Sequence, residues 1–207
     1  MSETGRRDTG EKTVVIVRHG ETDWSRSGRH TGSTDLPLTG EGRRKATRLA
    51  PALGRFDFSH VFTSPLQRAV ETCELAGLGG RAERLDDLLE WNYGELEGVT
   101  TAEIHQSSPD WNLWIDGAPG GESPPEVAGR ADDVIALLRR ILAEEAGDVA
   151  LFGHGHFSVA LCVRWIRLPI SSGRGFNLDT GSLSALGWHH SDPVIRLFNE
   201  RPEAGVA

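Results

Sequence analysis

The chain has 207 residues, 38% hydrophobic and 25% charged, with a formal net charge of -8. That length suits one buried core, so a single domain over 13–200 is expected between polar, loose ends at 1–12 and 201–207. The acidic balance argues against nucleic acid as a partner. With no signal-peptide core and no apolar run of membrane-spanning length, a cytoplasmic protein is expected.

Thr13–Val17 is a continuous apolar, β-branched run, the signature of a strand buried on both faces. A long polar loop follows. Thr39 then opens a helix to about Ala50, where Pro51 interrupts it. His60–Thr63 reads as a second strand. In Ser64-Pro65-Leu66-Gln67, the serine predicts an N-cap, the proline suits the first helical position and the glutamine completes a capping box. Between Gly98 and Gly121 lies a segment carrying Trp111 and Trp114. From Pro124 to Ala146 apolar residues recur at helical spacing, with Arg130 on the opposite, polar face. Asp148–Phe152 is another buried strand, followed by Gly153-His154-Gly155 and a helix from Phe157 to about Ile166. Ser182–Trp188 and Val194–Phe198 read as late strands, with a turn at Ser191-Asp192-Pro193. Strands alternating with helices predict an α/β fold, a three-layer sandwich with a mostly parallel central sheet. Cys73 and Cys162 read as reduced, buried thiols.

In such folds ligands bind beyond the carboxyl ends of the strands. Arg18-His19, Ser64 to Arg68 and Gly153-His154 each follow a strand, so all three should face one crevice. Glu90 lies in Leu89–Gly94, which pattern alone does not place. Arg18 and Arg68 offer planar forks suited to phosphate oxygens. A neutral His19 can attack phosphorus, a protonated His154 can stabilise the transferring group, and Glu90 can protonate the departing oxygen. Phosphoryl transfer demands mainly positioning and electrostatics, so this set can suffice without a metal.

At these residues the chain resembles the histidine phosphatase superfamily, the phosphoglycerate mutase-like group. The matching stretches are Arg18–Thr22, Thr31-Gly32 with Asp35–Thr39, Ser64–Ala69, Leu89–Gly94, Gly120–Ser123 and Gly153–His156. They span about Thr13 to Val163. The resemblance implies a phosphohistidine on His19, a phosphoryl group held by Arg18, Arg68 and His154, Glu90 as proton donor, and no cofactor. Ser25, Thr31, Gly32 and Gly155 join the expected substrate contacts. Ser25 stands where many members carry Asn, so its phosphate contact is less firmly implied. Trp24-Ser25 with Ser27-Gly28 and Thr31-Gly32 looks closer to the small acid phosphatase and sugar-bisphosphatase branches than to the glycolytic mutases.

Hydrolysis of a small phosphate ester, a sugar phosphate or related metabolite, is the expected activity; mutase-type transfer and a phosphoprotein phosphatase are the alternatives. Leu85 through Gly129 holds no Lys or Arg, so a glycerate carboxylate would find no cation there. The tryptophan segment should cover the site and favour small substrates over proteins. Arg26, Arg29, His30 and His156 have no assigned role, and His154-x-His156 does not make a convincing metal site without a neighbouring carboxylate or cysteine ligand. A homodimer through the late strands is compatible with the sequence.

Overall fold

The computed structural model describes residues 12–202. The expected loose ends fall outside the described residues except for Lys12, Arg201 and Pro202. Lys12 Nζ donates to Leu142 O, and Arg201 stands 3.6 Å from Asp179.

Six strands, β1 (Val14–Arg18), β2 (Phe58–Thr63), β3 (Ala82–Arg84), β4 (Asp148–Gly153), β5 (Leu183–His189) and β6 (Asp192–Glu200), form one sheet in the order β3-β2-β4-β1-β5-β6. The first four in that order run parallel, whereas β5 pairs antiparallel with β1 and β6 antiparallel with β5. Among the described residues seven α-helices accompany them: α1 (Asp23–Ser27), α2 (Gly40–Leu53), α3 (Gln67–Leu75), α4 (Thr101–Ser107), α5 (Leu113–Asp116), α6 (Pro124–Glu144) and α7 (Gly155–Trp165).

The alternation of side chains along a strand builds the layers. Val14 and Ile16 of β1, with Val149 and Leu151 of β4, pack against α6 and α7. Val15 and Val17, with Ala150 and Phe152, pack against α2 and α3. Each such valine, leucine or phenylalanine contributes roughly 1.5–3 kcal/mol by leaving water. The continuous apolar runs therefore reflect burial on both faces, as expected. Cys73 and Cys162 are free and buried, and burial pushes each thiol up to about 12. Among the described residues no helix is long and apolar enough to cross a membrane.

Local details depart from expectation. Pro51 lies inside α2, which continues to Leu53. The missing N–H costs up to about 3 kcal/mol in a helix interior, but Ala52 and Leu53 bury against the sheet and hold the last turn. Ser64 does not cap α3. The helix starts at Gln67 after an extended Leu66, and Gln67 N donates instead to Asp35 Oδ1 at 2.8 Å. The late hairpin turns at His190-Ser191; Asp192 and Pro193 already pair with His189 and Trp188. The polar loop after β1 contains α1, closed by a capping box between Thr22 and Ser25.

Candidate active site

Because β1, β2 and β4 are parallel neighbours, their carboxyl ends meet on one edge. His19 N donates to Gly153 O (2.9 Å) and Ser64 N to Phe152 O (2.8 Å), so the chain leaves all three strands in register. Arg18-His19, Ser64, Arg68 and His154 thus come together on that edge, but only Arg18 and His19 of these line the cavity, while Ser64, Arg68 and His154 are fully buried beside it.

His19 is 4% exposed and lines a cavity of about 260 Å³. Its Nδ1 lies 2.6 Å from Gly20 O. A carbonyl only accepts, so Nδ1 carries the proton and Nε2 keeps its lone pair. Burial, with Arg68 and Arg18 nearby, holds the imidazole well below its usual range. It stays neutral where a free histidine would be partly charged.

His154 is fully buried, and its ring centroid lies 5.3 Å from that of His19. Arg68 Nε donates to its Nδ1 at 3.1 Å, and its Nε2 lies 2.8 Å from Ser64 Oγ. With Nδ1 accepting, the proton sits on Nε2. Burial, then Arg68, His19 and Arg18, push its pKa well below the usual value. The protonated imidazole expected from sequence is therefore a neutral one, backed by the Arg68 cation. The failed cap, Ser64, is the hydroxyl this histidine points at.

Arg68 is likewise fully buried. Its Nη1 donates to Thr34 O (2.9 Å), and its Nη2 to Gly32 O (2.8 Å) and Thr31 O (3.2 Å). With the bond to His154, four of its five N–H groups are engaged inside the protein. Gly32 stands behind this wall, its N donating to both oxygens of Glu97 at 2.9 Å. Thr31 and Ser25 line the cavity, but the Thr31 hydroxyl donates to Arg29 O, and Ser25 Oγ accepts from Thr22 N while donating to Thr22 O.

Arg18 lines the cavity, with Nη1 donating to Leu178 O and a buried Nε that has no partner. Burial draws its pKa down against the pull of Glu90, yet an arginine remains cationic. A Cβ on Gly155 would come 3.1 Å from Arg18 Cζ, so the missing side chain is what lets the guanidinium lie against the start of α7.

Glu90, unplaced by pattern, reaches the same cavity. Its Oε1 accepts from Trp91 N (2.9 Å) and Phe157 N (2.8 Å), and Oε2 from His156 N (3.0 Å). Arg130 holds this segment. It donates to Leu89 O (2.6 Å) and Asp87 O (3.0 Å), pairs with Glu122 at 2.8 Å and lies 4.0 Å above the Phe157 ring. It is half-buried, not the solvated residue its helical position suggested.

His30 and His156 also border the cavity. Burial lowers His30 to about 4 and depresses His156. Tyr93 OH lies 2.6 Å from His156 Nδ1; burial holds the phenol protonated, so its O–H donates and the His156 proton is left on Nε2. Among the described residues no three His, Cys, Asp or Glu are grouped to hold a metal. Sequence reasoning missed Phe176, Asn177 and Leu178 in the wall. A signal existed for these three: they precede β5, and an antiparallel neighbour of β1 must begin where β1 ends.

The model of the histidine phosphatase superfamily (branch 1) matches residues 14–201. An acid phosphatase from Mycobacterium tuberculosis is 41% identical over 179 residues, 86% of this chain and 87% of its own length. A sedoheptulose 1,7-bisphosphatase from Saccharomyces cerevisiae is 34% identical over 184 residues, 75% of this chain and 68% of its own. A solved structure from Mycobacterium tuberculosis matches with a TM-score of 0.89 at 38% identity, covering 93% of this chain and 99% of the other.

Proposed function

Since the chain belongs to the histidine phosphatase superfamily and is a phosphomonoesterase of small phosphate esters, we propose that His19 is its nucleophile and Glu90 its proton donor. The observation that carries this assignment is the 2.6 Å contact between His19 Nδ1 and Gly20 O. It fixes the tautomer that presents a bare Nε2 to the cavity, and it stays in place to stabilise the positive ring formed when Nε2 bonds to phosphorus.

In the first half-reaction the Nε2 lone pair forms the N–P bond and the ester O–P bond breaks. The departing oxygen takes a proton from Glu90. Oε1 already accepts two N–H bonds and Oε2 one, so the proton is carried on Oε2. In the second half-reaction water returns a proton to Glu90 and its oxygen displaces the imidazole, releasing inorganic phosphate. Arg18 supplies the main cation to the phosphoryl group, supported by its partnerless Nε. His154 offers its Nε2–H to the phosphoryl group by turning it away from the Ser64 hydroxyl, and Arg68 keeps one Nη1–H while it positions His154 and the loop at 31–34. Sugar phosphates are the favoured substrates, a reading supported by the aromatic and imidazole lining and by the sugar-bisphosphatase relative.

Rapid quenching after brief exposure to labelled substrate tests this reading. An acid-labile, base-stable label is expected on His19 and absent in His19→Ala. Glu90→Gln should slow alkyl phosphates ~10²-fold or more and p-nitrophenyl phosphate much less, since the latter's leaving group needs no proton. A label elsewhere, or equal losses on both esters, contradicts the assignment.

A further inference from the structure

The cavity at His19 does not end at His30 and His156. A second compartment of about 350 Å³ adjoins it, and His30, Thr101, His156, Phe176 and Asn177 line both. The outer wall is different in kind. Trp111, Trp114 and His105 form one side, and Arg174, from the turn Ile170–Gly175, stands in the other. No Asp or Glu lines this compartment, although the chain carries 30 of them against 22 Lys and Arg.

Arg174 is exposed and has no ion pair or side-chain hydrogen bond among the described residues. Its turn is nevertheless held in place. A Cβ on Gly173 would fall 2.3 Å from the Trp114 ring, so the bare glycine lets the turn pack directly on that indole. Trp114 in turn packs edge-on against the buried Trp91, 5.4 Å between centroids. The cation is thus mounted on the rigid aromatic wall of the cleft. The cation-free stretch from Leu85 to Gly129 does not leave the leaving-group side neutral, because the charge arrives from beyond β4.

We infer that the outer compartment is a leaving-group subsite in which Arg174 takes a second anionic group, a phosphate or a carboxylate, at the far end of a sugar whose reacting phosphate sits at His19. This rests on His19 being the nucleophile. The hydroxylated middle of such a substrate would face the N–H of His156 and the Trp111 ring. The favoured substrate class is therefore sugar phosphates with an anion at each end.

The test compares a hexose bisphosphate, the same hexose with one phosphate, a phosphorylated aldonic acid and p-nitrophenyl phosphate. The unaltered enzyme should prefer one or both doubly anionic substrates, and whichever loses more in Arg174→Ala identifies the anion. That variant should raise KM for it about tenfold with kcat little changed, as expected for losing a charge-assisted contact made equally in ground and transition states. Arg174→Lys should restore part of the loss, and p-nitrophenyl phosphate should be unaffected. Equal treatment of singly and doubly anionic hexoses by the unaltered enzyme, or equal losses on all four esters in Arg174→Ala, would overturn the subsite. Neither outcome touches the nucleophile, whose failure would appear as a label retained in His19→Ala.

Discussion

Arg68 would be read from its position as a phosphate fork, yet four of its N–H groups hold the protein together. Three carbonyls of the segment 31–34 and one imidazole nitrogen depend on it. Arg68→Ala would leave these four acceptors, two of them fully buried, without that donor, and a loss of roughly 3–5 kcal/mol is expected, as when one partner of a buried charged network is removed. A large drop in the urea midpoint is the readout. Arg68→Lys keeps the charge but not the fork, so only partial recovery is expected. The identity of such residues was legible in the sequence: His19, His154 and Arg68 each follow a strand. Their protonation was not, because a tautomer depends on which carbonyl or guanidinium the fold brings to each nitrogen. Gly20 O is one residue from the His19 ring, whereas Arg68 is 86 positions from His154.

Among elements, those with a strong period were legible: β1, β4 and α6 lie within a few residues of expectation. The excursion from Leu85 to Gly121 was not, since it has neither period. It is fixed by contacts from outside, chiefly Arg130 of α6 and the N–H groups that open α7. The start of α7 offers a discriminating experiment. Gly155 is its first residue, and alanine is the better helix former by up to about 1 kcal/mol. A Cβ there would stand 3.1–3.2 Å from Arg18 Cζ and Nε and push the guanidinium aside. Gly155→Ala should therefore keep or slightly raise the melting temperature while lowering kcat/KM about tenfold, the cost of misplacing the guanidinium proposed to hold the phosphate. Unchanged kcat/KM would remove Gly155 from the substrate-binding residues.

Across the whole molecule, an acidic chain keeps four histidines of one cleft neutral. His19, His154 and His156 are depressed chiefly by burial, and His30 is lowered to about 4. In the unfolded chain each takes up a proton near pH 6.5, but the folded protein resists. Below about 6.5 the unfolded state binds more protons, so stability falls with falling pH, by up to ~1.4 kcal/mol per pH unit for each histidine. For His30 that loss runs from about 6.5 down to about 4. Urea midpoints should be lower at pH ~5.5 than at ~7.5, and His30→Asn should reduce the slope by about one proton. A midpoint independent of pH in that window would contradict neutral burial. The same depression keeps His19 neutral in mild acid, so with His19 as the proposed nucleophile no inflection near 6.5 from this residue is expected in kcat/KM. A carboxyl group is set among these imidazoles. Glu90 ties the loop at 90–91 to the first turn of α7 through three N–H bonds. If it also gives and regains a proton in each turnover, the fastening of the helix behind His154 tightens and slackens with the reaction. Chemistry at phosphorus would then be mechanically geared to the element that carries its own donor.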